Sequence, residues 1–176
     1  MYRFSIGAVG FATVALAAAI ASAHVTLETG AAPAGSFYKA VLRVPHGCDG
    51  NATTAIRVKI PEGVMKPKPM PKPGWTLKTT VGKLAQPYDW YGTKITEDVQ
   101  EIEWSGGNLP DDFYDEFVFR AKLPDGEGKT LWFPVIQTCA SGEERWIEIP
   151  AEGKNPDDYE YPAPGLKLTA PTGDDD

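Results

Sequence analysis

The sequence predicts an all-β chain, an antiparallel β-sandwich of immunoglobulin-like type. Three observations predict it. Apolar residues recur at every second position in short runs, no long helical period appears, and segments rich in Gly, Pro, Asn and Asp separate the runs. Period-two patterning marks strands with one buried face, and seven or more such strands punctuated by turns suit a sandwich.

In chain order, Val25 and Leu27 form the first core-facing pair, which turns His24, Thr26 and Glu28 outward. Tyr38, Ala40, Leu42 and Val44 share a face opposite Lys39 and Arg43, and Ile56, Val58 and Ile60 alternate with Arg57 and Lys59. Met65 to Pro73 interleaves prolines with lysines, so it reads as an extended edge or loop, because proline donates no ladder hydrogen bond. Trp75, Leu77, Thr79 and Val81 form a weaker set, followed by Ile102 and Trp104 against Glu101 and Glu103. Phe113, Asp115, Phe117, Phe119, Ala121 and Leu123 line one side of a longer run. Leu131, Phe133 and Val135 begin another, and Ile147 with Ile149 mark the last as core-facing, which turns Trp146 and Glu148 outward. Turn chemistry at His46–Asn51, Pro61–Gly63, Pro73-Gly74, Ser105–Gly107, Pro124–Gly126 and Ser141-Gly142 supplies positive φ where the chain reverses. Residues 163–176, Pro- and Gly-rich and ending in three aspartates, read as a flexible acidic tail.

The start of the chain has a different character. Arg3, an apolar run from about Ile6 to Ile20, and Ala21-Ser22-Ala23 make the three parts of a secretory signal, with cleavage expected before His24. The alternative is a membrane anchor, but the run is short against the about 20 apolar residues a span needs. No twin-arginine pair is present, so export as an unfolded chain is expected, to a periplasmic or extracellular destination. Residues 24–162 then form one domain, long enough for one core. The net charge of −7 comes from dispersed acidic residues without a basic stripe, which argues against nucleic acid and anionic lipid as partners. In an oxidising compartment Cys48 and Cys139 suggest a disulfide, the alternative being a pair of thiolate metal ligands.

Cleavage before His24 creates a chelate from one residue: the free α-amine and the ring Nδ1. An α-amine has a pKa near about 7.7–8.0, so a metal displaces its proton at neutral pH. Nitrogen donors in a square array favour Cu(II). Glu28 is too far to join, since four residues of strand span about 13 Å. Glu116, outward-facing in Tyr114–Phe119, and Glu148, beside Trp146, are the candidate carboxylates. His46 lies in the turn Pro45–Cys48, where a structural or exposed role is the default, and Met65 and Met70 could be soft Cu(I) ligands. Hydrolase, phosphate-loop and zinc-protease patterns are absent, and the pairs Asp111-Asp112 and Glu143-Glu144 sit at turn-like positions.

Taken together, the segments Ala23–Glu28, Arg43–Cys48, Thr53–Pro61, Lys72–Trp75, Asp115–Arg120, Gln137–Cys139 and Arg145–Glu148 resemble the YcnI-like domain family, once described as a domain of unknown function. The resemblance implies an immunoglobulin-like or cupredoxin-like sandwich that holds Cu(II) in a mono-histidine brace, with a glutamate and a tryptophan close by. His24 carries over as the brace, Trp146 as the tryptophan, and Glu116 as the glutamate, with Glu148 second. Some relatives carry a glutamate soon after the histidine motif, where this chain has Ala31 and Ala32. Some also carry a fused chaperone domain or a terminal membrane helix; neither is evident here, so a soluble exported protein is expected.

Two functions follow from different classes. The first is an extracytoplasmic copper chaperone or buffer, exchanging Cu(II) with another exported copper protein and not acting as an enzyme. The second is a histidine-brace copper monooxygenase, which needs a second histidine, and only His46 could serve. An exported adhesion-type sandwich that binds copper incidentally is the bland third case.

Overall fold

Alternation along Phe37–Val44 puts Tyr38, Ala40, Leu42 and Val44 on one face, and all four are buried. The same logic builds most of the chain. In a computed structural model, residues 24–172 are described. The proposed export signal in residues 1–23, and the last four residues, lie outside them. The strands are β1 (Thr26–Leu27), β2 (Ala31–Pro33), β3 (Phe37–Val44), β4 (Thr53–Lys59), β5 (Met65–Pro69) and β6 (Thr76–Trp90). There follow β7 (Thr93–Leu109), β8 (Asp115–Lys122), β9 (Thr130–Trp132), β10 (Val135–Cys139), β11 (Glu143–Trp146) and β12 (Gly165–Thr169). Among the described residues there is no α-helix, only a single 3-10 turn at Pro156–Asp158, and no helix long and apolar enough to cross a membrane.

Two antiparallel sheets carry the core, one ordered β1-β3-β8-β5 and the other β11-β10-β4-β7-β6. Register explains which side chains meet. Leu27 pairs with Leu42 and Leu42 with Phe117, so one row of the first sheet points inward from three strands. In the second sheet Val135, Val58 and Ile102 form one inner row, and Gln137, Ile56 and Trp104 the next. Trp104, Phe117, Phe119 and Phe133 are the largest wholly enclosed side chains, each contributing about 1.5–3 kcal/mol through burial. Trp104 keeps its indole N–H satisfied by donating to the Met70 carbonyl at 3.0 Å.

The Pro-Lys segment is an edge strand, β5, as its prolines require. Other readings change. The tail does not begin at residue 163: β12 pairs in parallel with β2 and antiparallel with β9, and its Leu166 and Leu168 are fully buried. Phe113 is exposed and precedes β8, which starts at Asp115. Val81 is also exposed, because β6 is an edge strand with water on both faces over much of its length. At the far end of that hairpin, Tyr91 and Gly92 both take positive φ, 49° and 82°, the two-residue connection whose twist matches a hairpin.

The largest change concerns the last predicted run. Ile147 and Ile149 are 39% and 59% exposed, whereas Trp146 is 3% exposed. The cause is register: β11 pairs with β10 so that Trp146 lies opposite Val135, and paired residues share a face. Val135 points into the core, so Trp146 does too, and β11 ends there.

Candidate metal centre

β1 and β11 are edge strands of different sheets, and His24 and Trp146 meet where those edges approach. Val25 and Leu27 are buried, so alternation turns His24 outward, as the sequence implied. The His24 ring stands 5.5 Å from the Trp146 ring at 57°, and Tyr161 packs on the same indole at 5.3 Å. Trp146 is thus covered on one side by the first residue of the described chain and on another by the segment leading to β12. A cleft of about 870 Å³ opens beside His24, lined by Leu27, Trp132, Pro150, Lys154 and Pro164 among others.

A buried glutamine organises this corner. Trp146 Nε1 donates to Gln137 Oε1 at 3.0 Å. Gln137 Nε2 donates to the His46 carbonyl at 2.7 Å and to Thr53 Oγ1 at 2.8 Å. Gln137 is fully enclosed, so these bonds replace water it cannot reach. Replacing it with leucine is expected to cost about 2–6 kcal/mol, because the Trp146 N–H and the His46 carbonyl lose their partner at roughly 1–3 kcal/mol each. Urea unfolding of Gln137→Leu checks this; a loss under about 1 kcal/mol would mean that water replaces the amide.

The turn carrying His46 is fixed independently. Cys48 and Cys139 form a disulfide, Gly47 N–H donates to Asp111 Oδ1 at 2.9 Å, and Cys48 and Asn51 exchange backbone bonds of 3.0 and 2.8 Å. The thiolate-ligand alternative for the cysteines is thereby removed. A side chain at position 47 would meet the Asn51 carbonyl oxygen at 1.9 Å, which is why glycine sits there.

Of the two candidate carboxylates, neither lies free beside His24. Thr26 pairs with Arg43 and Arg43 with Glu116, so Glu116 stands two strand spacings from β1, about 10 Å across the sheet. Its carboxylate takes the Tyr114 hydroxyl, while Lys72 binds its carbonyl at 3.1 Å and Asp115 Oδ1 at 2.6 Å. The structure brings Trp146 to His24 and leaves Glu116 apart. Glu148 accepts the Tyr161 N–H on Oε2 at 2.6 Å.

A third glutamate, read from the sequence as part of a turn, occupies a more telling position. Glu144 lies in β11 opposite Gln137, two residues before Trp146 and on the same face. Its Oε2 is buried without a hydrogen-bond partner. Burial raises its pKa; His46 acts to lower it, and Asp49 and Asp111 raise it further. Alternation from Trp146, once its face is known, would have found this residue. Met65 is buried and Met70 is exposed, in and just after β5. Among the described residues no three His, Cys, Asp or Glu side chains form a ready-made metal cluster.

Comparison with known proteins adds the following. A family model described as a domain of unknown function, DUF1775, matches residues 24–168, with its first residue at His24. The copper-binding protein CutI of Bacillus subtilis (strain 168) is 29% identical over 112 residues, covering 64% of this chain and 49% of CutI. The matched region thus spans about half of that relative. A crystal structure of an uncharacterized protein from Nocardia farcinica, reported to have an immunoglobulin-like fold, is similar with a TM-score of 0.62 and 29% identity. The match covers 84% of this chain and 99% of that one.

Proposed function

The chain belongs to the YcnI-like DUF1775 family, and from that premise we propose that it is an exported copper-binding protein that carries or buffers Cu(II). The observation that carries the reading is the packing of His24 against the enclosed Trp146, on a chain similar to a protein named for binding copper. Cleavage after Ala23 would free the His24 α-amine, and amine and Nδ1 together would hold the ion in a mono-histidine brace. Bound copper would supply a Lewis-acidic, exchangeable charge; the protein's part is to fix its donors. Trp146 limits how far the ring can swing, and Gln137 fixes Trp146 through its indole N–H. The ring itself is only half-buried, so a partner's ligands can reach the ion and take it. That geometry suits transfer better than permanent storage.

Residues do not fall into this role equally. Glu116 belongs with Tyr114 and Lys72 on the outer face of the first sheet, and the reading does not assign it to the ion. The oxidative-enzyme alternative retains one observation in its favour, the closeness of the His46 turn to Trp146 through Gln137. Copper-dependent release of oxidised oligosaccharides from a polysaccharide would favour that alternative.

The test uses signal-cleaved protein titrated with Cu(II) while tryptophan emission is recorded. A copper ion at His24 should quench Trp146 stoichiometrically. His24→Ala is expected to abolish that stoichiometric step, and Trp146→Phe to keep the binding, measured by chelator competition, while losing most of the quench. Equal affinity in His24→Ala and the unaltered protein would overturn the reading.

A further inference from the structure

We propose that the outer face of the first sheet carries a docking surface for an acidic segment of a partner protein, centred on a row of three cations, Lys39, Arg120 and Lys68. This surface lies away from His24, needs no copper and is independent of the reading above.

Register makes the row. β3 sets Lys39 opposite Arg120, and β5 sets Lys68 opposite the same Arg120. Directly paired residues share a face and lie about 4.5–5.5 Å apart. That face is the outer one, because Tyr38, Ala40, Phe119 and Ala121 are buried while all three cations are exposed. Lys122 follows two residues along β8 on the same face. Four cations thus gather on a chain of net charge −7, from three segments that the sequence keeps apart. Among the described residues the ion pairs are those of Arg57, Lys72 and Arg145, so none of the four is in one.

Like charges directly opposite one another destabilise a sheet. A solvated face does not call for them: farther along, the same two strands set Arg43 opposite Glu116. Lysines and prolines guard edge strands, which accounts for Lys68 on β5 but not for Lys39 and Arg120 on the inner strands β3 and β8. Aromatic rings complete the surface. Arg120 lies 3.9 Å from the centre of the Phe37 ring, and Lys122 lies 5.8 Å from Phe37 and 5.4 Å from Tyr91. Phe37 is 45% and Tyr91 75% exposed, and Trp90 packs edge-on against Phe37 at 6.3 Å. A guanidinium stacked by its face keeps its N–H edges for a carboxylate. Arg, Trp and Tyr together are the residue types that dominate binding between proteins, which favours a protein over an anionic polymer. The rest of the face argues against a bilayer. Glu116 stands four residues from Arg120 along β8, about 13 Å away, and a planar anionic surface laid on this face would meet it. A compact acidic segment meets only the cationic end. That end also leaves His24 open, because Arg43, the partner of Thr26, is itself about 13 Å from Lys39 along β3.

The experiment is fluorescence anisotropy of fluorescein-labelled poly-glutamate titrated with the copper-free, signal-cleaved protein. One variant carries Lys39→Gln with Lys68→Gln, which keeps Arg120 on Phe37. A second carries Lys78→Gln with Lys83→Gln, the same change of charge at two exposed lysines of β6. Thermal unfolding confirms that each is folded at the titration temperature. The unaltered protein is expected to bind saturably, and more weakly as added salt shortens the Debye length below about 10 Å. The first variant should lose about tenfold in affinity, the scale of two exposed ion pairs made with a partner, and the second should lose nothing. Equal affinity in the two variants, or no binding by the unaltered protein, would overturn the proposal. Tighter binding to phosphatidylglycerol vesicles than to poly-glutamate at matched charge would also overturn it, making the surface a membrane anchor. None of these outcomes bears on copper at His24.

Discussion

Replacing Cys48 and Cys139 together with alanine is expected to lower the unfolding free energy by about 4–5 kcal/mol, the value chain entropy gives for a loop of this length. The bridge joins residues 91 apart, so its loss releases most of the domain's long-range restraint in the unfolded chain. A local effect accompanies the global one. Gln137 lies two residues before Cys139, and it reaches across to the carbonyl of His46, two residues before Cys48. The disulfide and this hydrogen bond are therefore parallel ties between β10 and the same turn. Without the disulfide, Gln137 is the one of these two ties that remains between β10 and the turn, which keeps its own Gly47–Asp111 and Cys48–Asn51 bonds, and Trp146 depends on Gln137. Urea unfolding measures the first effect, and Cu(II) titration below the unfolding transition measures the second, a weakening of copper binding. A loss under about 2 kcal/mol, the low end for native bridges in small exported domains, would mean that the unfolded chain stays compact without it.

The fold was legible wherever a strand has one wet and one dry face. Val25 with Leu27, Tyr38 through Val44, and Ile56 with Val58 all alternate and all point inward. It was illegible where alternation offers two phases. Arg145–Ile149 holds isoleucines in one phase and Trp146 in the other, and only pairing with Val135 decides between them. The long β6–β7 hairpin is exposed on both faces over much of its length, so no hydrophobic contrast marks its outer half. β12 was hidden by its Pro- and Gly-rich surroundings, although Leu166 and Leu168 flank Lys167 with a two-residue period.

The candidate site divides along similar lines. His24 could be proposed from the sequence because the chemistry expected of it follows from its position and needs no tertiary contact. Trp146 was named from a resemblance, and its burial against Gln137 emerged only in three dimensions. Gln137 itself is a polar residue at a core position, which a hydrophobic pattern cannot reveal. Glu144 was misread because its neighbour Glu143 and the Ser141-Gly142 turn suggested a loop, whereas β11 already begins at Glu143.

The α-amine is the donor on which the copper reading depends most. Blocking it leaves the His24 imidazole in place but converts a two-point chelate into a single ligand. Losing the second point of attachment costs roughly 10²- to 10⁴-fold in affinity, the range typical of linked binding events. At 1.4 kcal/mol per tenfold, this is about 3–6 kcal/mol of binding free energy. The fold should be untouched, because His24 precedes β1 and its neighbours Val25 and Leu27 keep their burial. The most direct measurement is therefore the Cu(II) dissociation constant, by chelator competition, of signal-cleaved protein with a free α-amine and of the same protein acetylated there. The account predicts tight one-to-one binding in the first and a loss of at least about 100-fold in the second. Equal dissociation constants would contradict the N-terminal brace and place copper elsewhere on the molecule.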